Sequence, residues 1–429
     1  MFRRTARFAL PVVAALALSA CGIGGGSDTA DTTATVSGEV KGEITFQTWN
    51  LKGGYEKYFT DLVTAFQTAN PGTTVKWIDQ PPEGYQDKLS ADAAAGSLPD
   101  VVDIGPEAAF TLANAGMLLD LSKTDPDAAK DYLPKAWEAN KFASLGGGIY
   151  AYPWYLNTGP SFYNTALLDK CGVPKDNLPA TYDALFAAGE AMAAKCKSGE
   201  TMVGRLPAIE TFGAYGVPLM NAEGTKFTFN DAKGAELVNH YKKLFEAGGL
   251  TEATLNKLQT GEVDAFKAGQ VGWLPGSSYT LKDLKATAPK IAETVAIAPH
   301  VTNDKPNMYI ESLAVNAKSK NTATAVAFAK FATNKANQLG FSNQAAIFPS
   351  ATGALDDAYF TTDDGTPETK LRVESAKAVS EAIVYWPAAF SSKSVDFLRE
   401  QIALAVLGKK DVQAALDESV KYADENLPK

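Results

Sequence analysis

Histidine and cysteine are nearly missing from this chain of 429 residues: His240 and His300 are its two histidines, and Cys21, Cys171 and Cys196 its three cysteines. With no paired-cysteine motif, a metal centre built on imidazole or thiolate would have too few ligands. Walker loops and nucleophile elbows are absent. The stretch Gly22-Ile23-Gly24-Gly25-Gly26 has no strand before it and is no dinucleotide fingerprint. Asp363-Asp364-Gly365 lacks the alternating acidic ligands of a calcium loop and reads as a turn. Neither a metal nor a cofactor is therefore expected, and no catalytic residue is assigned. Positive charge is short as well. The net charge of −9, or −12 once Arg3, Arg4 and Arg7 are removed, repels phosphate backbones, so nucleic acid is not an expected partner. Paired carboxylates for glycoside hydrolysis need not be neighbours in sequence, so that chemistry stays open.

What is present begins at the amino end. Arg3, Arg4 and Arg7 precede a short apolar run from Phe8 to Ala17, closed by Leu18-Ser19-Ala20-Cys21. The run is about half the roughly 20 residues a membrane-crossing helix needs. It resembles a bacterial lipoprotein signal, which implies cleavage of residues 1–20 and lipidation of Cys21. Two acyl chains, at roughly 0.8 kcal/mol per buried methylene, make a durable anchor. Residues 21–42, rich in Gly, Ser, Thr and Asp, read as a flexible tether with a reach of about 25 Å. The protein is thus expected on the outer face of the cytoplasmic membrane, where a disulfide between Cys171 and Cys196 is chemically permitted.

From Glu43 onward, short strand-like runs alternate with helical ones. Ile44 and Phe46 alternate in the first strand; Tyr58, Leu62, Ala65, Phe66 and Ala69 then recur at helical spacing until Asn70-Pro71-Gly72. Strands at Thr74–Ile78 and Val101–Ile104 flank a helix near Gln86–Ala95, the grammar of a right-handed parallel α/β sheet. Ligands of such sheets bind at the carboxyl ends of the strands, which brings Trp49-Asn50 and Gly105-Pro106-Glu107 to a common rim. The segment Tyr150 to Asn157 is too polar and proline-marked for a plain core strand. Longer helices follow, with Asp231 and Asp411 as candidate N-caps.

Several fragments, in order, resemble one family. Ile44 to Trp49 with its helix, Leu98-Pro99-Asp100-Val101-Val102, Tyr152-Pro153-Trp154 with Phe162-Tyr163-Asn164, and Phe266 to Trp273 are similar to segments of solute-binding lipoproteins of bacterial ABC sugar importers, the maltose- and oligosaccharide-binding group. Lys318 to Asn321 and Leu407 to Lys410 resemble its later signatures. The resemblance implies an α/β, two-lobed periplasmic-binding-protein-like fold (type II) with a central cleft. Its first lobe would use residues 43–153 and 309–354, its second 157–305 and 355–429. A position that often carries Met in that group is Trp273 here.

A sugar presents apolar faces and a belt of hydroxyls, so its site needs flat rings and fixed donors and acceptors. Trp49, Trp154, Tyr155, Trp273, Tyr279 and Trp386 are the candidate platforms, with Tyr85 in a nearby turn. Asn50, Lys52, Glu107, Asn157, Gly276, Ser277, Ser278 and Glu311 are the candidate polar contacts. Replacing Trp154 by Ala is expected to weaken binding and spare the fold. The implied function is capture of a di- or oligosaccharide, as a monomer, for the transmembrane subunits of an ABC permease. Two rivals remain: a polyol phosphate, for which Lys52 is the sole basic rim candidate, and a lipid-anchored glycoside hydrolase.

Overall fold

The computed structural model describes residues 36–196, 199–256 and 259–427. Cys21, the expected signal segment and most of the tether lie outside the described residues. Eleven strands form among the described residues, in chain order β1 (Gly42–Trp49), β2 (Thr73–Gln80), β3 (Val101–Ile104), β4 (Lys141–Phe142), β5 (Gly148–Ile149), β6 (Tyr152–Asn157), β7 (Ser161–Asn164), β8 (Trp273–Pro275), β9 (Val295–Ala298), β10 (Tyr309–Val315) and β11 (Phe348–Pro349). They assemble into a six-stranded sheet of order β11-β6-β10-β3-β1-β2, a three-stranded sheet of order β8-β7-β9, and the hairpin β4-β5.

The first lobe is built on the larger sheet. Strand β1 pairs in parallel with β2 and β3, as the alternating strand and helix pattern requires, and β10 enters antiparallel between β3 and β6. The helix Lys52–Ala69 buries Phe59, Leu62 and Phe66 at the spacing of one helical face. These meet Phe46, Phe328 and Phe341 in an aromatic core; the Phe46 and Phe328 rings stand edge to face with centroids 4.9 Å apart.

Two sequence expectations are corrected here. The segment Tyr152–Asn157 is a core strand after all, because Pro153 falls at the irregularity in the β6–β10 pairing and the rings of Tyr152 and Trp154 turn inward. The last part of the expected tether is also docked. Val36 and Val40 pack against the first-lobe core, and the Lys41 backbone N–H donates to Thr324 Oγ1 at 2.9 Å.

Around the smaller sheet the second lobe gathers the helices Tyr182–Ala193, Ala232–Glu246, Ser392–Val406 and Val412–Glu425. Asp231 and Asp411 cap two of them, accepting from the Gly234 and Ala414 N–H groups. Cys171 and Cys196 are bonded, with Cα atoms 5.1 Å apart.

The chain passes from the larger sheet to the smaller after Asn157, returns between Ala298 and Tyr309, and leaves again after Pro349. The helix Pro367–Glu381 straddles the third passage. Its Ala376 and Val379 pack with Leu156, Ile310 and Phe348, while Leu371 joins the second-lobe cluster around Phe162 and Phe266.

Candidate ligand-binding site

Strands β6 and β10 lie side by side where the chain passes between the lobes, and their register builds the site. Tyr309 stands opposite Asn157, and Glu311 opposite Tyr155. Residues two apart share one face of a strand, so these four side chains run from the first-lobe wall towards the second.

At the second-lobe end the two strands border an open cavity of about 1000 Å³, solvent included, also lined by Tyr182, Tyr241, Trp273 and Arg205. The Arg205 guanidinium donates through Nε to Glu262 Oε2 at 2.9 Å, and its Nη2 lies 3.9 Å from Glu210 Oε1. Glu262 is almost wholly buried, so its charge is stable only with the arginine beside it. Trp273 stands edge-on to Tyr182, ring centroids 6.4 Å apart, and its indole N–H has no partner. Tyr309, 52% exposed, offers the cavity an open ring. His300 Nδ1 is 3.0 Å from the Gly159 carbonyl, which can only accept, so Nδ1 carries the hydrogen. Burial lowers the His300 pKa, which keeps the ring neutral and leaves Nε2 as an acceptor.

At the first-lobe end, Trp49 and Tyr85 lie with ring centroids 6.0 Å apart, tilted by 30°. The Tyr85 hydroxyl donates to the Asp103 backbone carbonyl at 2.7 Å. Asp103 is fully buried, with the Trp49 backbone N–H and the Glu311 carboxyl as its polar neighbours. Burial, reinforced by Glu311 and Asp79, raises its pKa well above the carboxylate range, and burial pushes Glu311 up to about 8. Burial and the same two carboxylates raise the Tyr155 pKa, so its hydroxyl stays a donor.

The remaining sequence candidates divide. Asn157, Trp273, Gly276 and Ser277 line the cavity, although the Ser277 hydroxyl is engaged by the Thr280 N–H of the helix it caps. Glu107 sits in the first turn of the helix Pro106–Asn114, where burial raises its pKa. Asn50, at φ 53°, is the one non-glycine residue at positive φ among the described residues. Lys52 is turned outward, 3.5 Å from Glu56 and over the Trp77 ring, and does not line the cavity. Ser278 opens the helix Ser278–Thr287; its side chain lies outside the described part. Tyr279 is 71% exposed and outside the cavity.

Two tryptophans are corrected. Trp154 is 1% exposed, stacked on Phe341 at 5.6 Å and wedged against Phe46 and Phe59, because the strand alternation turns it into the first-lobe core. Trp386 packs edge-on to Phe390 and lines a separate hollow beside Gly213, Leu219 and Met220. Sequence reasoning missed Tyr182, Arg205, Glu210, Tyr241, Glu262, His300 and Tyr309. Arg205 carried a signal, as one of three arginines after residue 7.

Two α/β lobes with a polar, ring-lined cavity beside the connecting strands are the architecture of a solute-binding protein. The chain belongs to the bacterial extracellular solute-binding protein family, whose sequence profile matches residues 52–339. It is 28% identical to the diacetylchitobiose binding protein DasA of Streptomyces coelicolor, over 79% of this chain and 80% of the relative. Its fold matches the GacH receptor of Streptomyces glaucescens, solved unliganded and with acarbose, at a TM-score of 0.68 and 23% identity, covering 91% of this chain and 99% of the other. It also matches the cyclic alpha-maltosyl-1,6-maltose binding protein of Arthrobacter globiformis, at a TM-score of 0.71 and 19% identity over 90% and 99%.

Proposed function

We propose that this chain captures a sugar of di- or oligosaccharide size between its lobes and presents it to the transmembrane subunits of an ABC importer. The observation that carries the reading is the cavity, where open and edge-on rings surround an arginine held by two glutamates. Rings cover the apolar faces of a pyranose, and a fixed guanidinium, amides and carboxylates match its hydroxyls. Closure follows because a ligand touching both walls binds the closed form better than the open one. A micromolar ligand needs about −8 kcal/mol net. The relatives named for sugars support the same class.

A polyol phosphate is disfavoured because the one cavity arginine already faces Glu210 and Glu262. A glycoside hydrolase is disfavoured because the family and the relatives named above are binding proteins. The test is isothermal calorimetry across mono-, di- and oligosaccharides, with chromatography of the recovered sugar. Tyr309→Ala should keep the melting temperature of the native protein and weaken the best sugar by about tenfold or more. Unchanged affinity in the folded variant, or cleaved sugar, would count against the reading. The proposal includes a monomer tethered through lipidated Cys21, supported by the residues around that cysteine. Labelled palmitate should enter the native protein in cells and be lost in Cys21→Ala.

A further inference from the structure

Resting on the reading of the chain as a sugar receptor, we propose that the second-lobe cavity holds one end of the sugar chain, where Trp273 and Glu210 read a hydroxyl of the terminal ring. The cavity is walled by the second lobe and by the two passages beside it; among the described residues, none of its lining comes from β1, β2 or β3 of the first-lobe sheet. Its inner wall is packed core. Tyr182, Val203, Leu206, Tyr241 and Trp273 line it and are buried. Tyr309, at 52% exposure, stands at the way in. A sugar chain can therefore enter by its end but cannot run through, which excludes the middle of a long polysaccharide.

A second observation points to the same end. The inner wall carries polar atoms that the protein leaves unmet: the indole N–H of Trp273, a residue only 7% exposed, has no partner, and neither has Glu210 Oε2. The first can only donate, and the second, as a carboxylate, only accepts. Tyr182 adjoins both, its ring edge-on to Trp273 at 6.4 Å and its hydroxyl close enough to Glu210 to feel that charge. Arg205 Nη2 lies 3.9 Å from Glu210 Oε1, which leaves Oε2 for a guest. A buried donor and a buried acceptor, unsatisfied on one wall, are costly until a polar group completes both.

A sugar hydroxyl completes both alone, since its oxygen accepts the indole hydrogen and its own hydrogen goes to the carboxylate. The acetal oxygen that links two rings accepts but cannot donate. The wall thus prefers a free hydroxyl on a terminal ring to a linkage inside a chain, in agreement with the closed shape of the cavity.

The probes are maltotriose, cellotriose and triacetylchitotriose, each in three forms: free, with a benzylidene acetal across two hydroxyls of the non-reducing ring, and as the methylumbelliferyl glycoside at the opposite end. Calorimetry of the full-length protein should find that one cap weakens binding by about a hundredfold or more while the other is tolerated. Trp273→Phe, which keeps a ring and loses the donor, should melt like the native protein and bind the free sugar about tenfold more weakly. If that variant does not fold, the caps on the native protein decide. Two caps that weaken binding equally, or a folded Trp273→Phe protein with full affinity, overturn the proposal and leave the sugar reading standing. Failure of all three sugars and of every other neutral oligosaccharide to bind overturns both.

Discussion

At Trp154 the identity of a side chain and its direction part company. Its position beside a proline suggested a ligand platform, yet alternation along β6 aims the indole into the first-lobe core. Trp154→Ala is therefore expected to destabilise the fold by about 3–5 kcal/mol, read as a lower urea midpoint, where a surface platform would cost the fold little. The same limit explains the other residues. Aromatic and polar candidates could be picked from the sequence, because sugars demand those types. Which of them face the cavity depends on strand register and on helices far apart in the chain. Asn157, which lines the cavity, was legible since it flanks a passage between lobes. Glu210 and Glu262 were not, since only the fold brings them to Arg205.

Elements were more legible than side chains, for reasons local to each. Strand β3 appears with the expected bounds and the helix Ala232–Glu246 starts at the expected Asp231 cap, because the apolar run of the first and the cap of the second are written within a few residues. Close approach between distant elements left no such trace. A Cβ added to Gly159 would lie 1.7 Å from the Gly276 carbonyl oxygen, so the segment leaving β6 touches the loop after β8 through bare backbone. Gly159→Ala must push these two apart and with them the Gly159 carbonyl that His300 holds. Its melting temperature should fall, and sugar affinity with it. A variant melting like the native protein, with affinity intact, would show that the contact yields freely.

For the whole molecule, the buried carboxyls set a pH dependence. Burial raises both Glu311 and Asp103, so they hold their protons in the folded state at pH values where the unfolded chain has released them. The folded state then binds more protons, so this contribution is complete below about pH 4 and declines as pH rises, the share of Glu311 levelling off near about pH 8. The slope is at most about 1.4 kcal/mol per pH unit for each group. Urea midpoints at rising pH should fall across that window, and Glu311→Gln should flatten the curve. The sequence made the two-lobed architecture readable through ordered fragments spread along the chain. It could not show that Asp103 and Glu311 would meet on neighbouring strands.

The three passages between the sheets carry a genetic consequence. Neither half is encoded by one uninterrupted stretch, since each is stitched from segments separated by the other. A single recombination breakpoint therefore cannot exchange one half for a cousin's; a clean swap needs several at once.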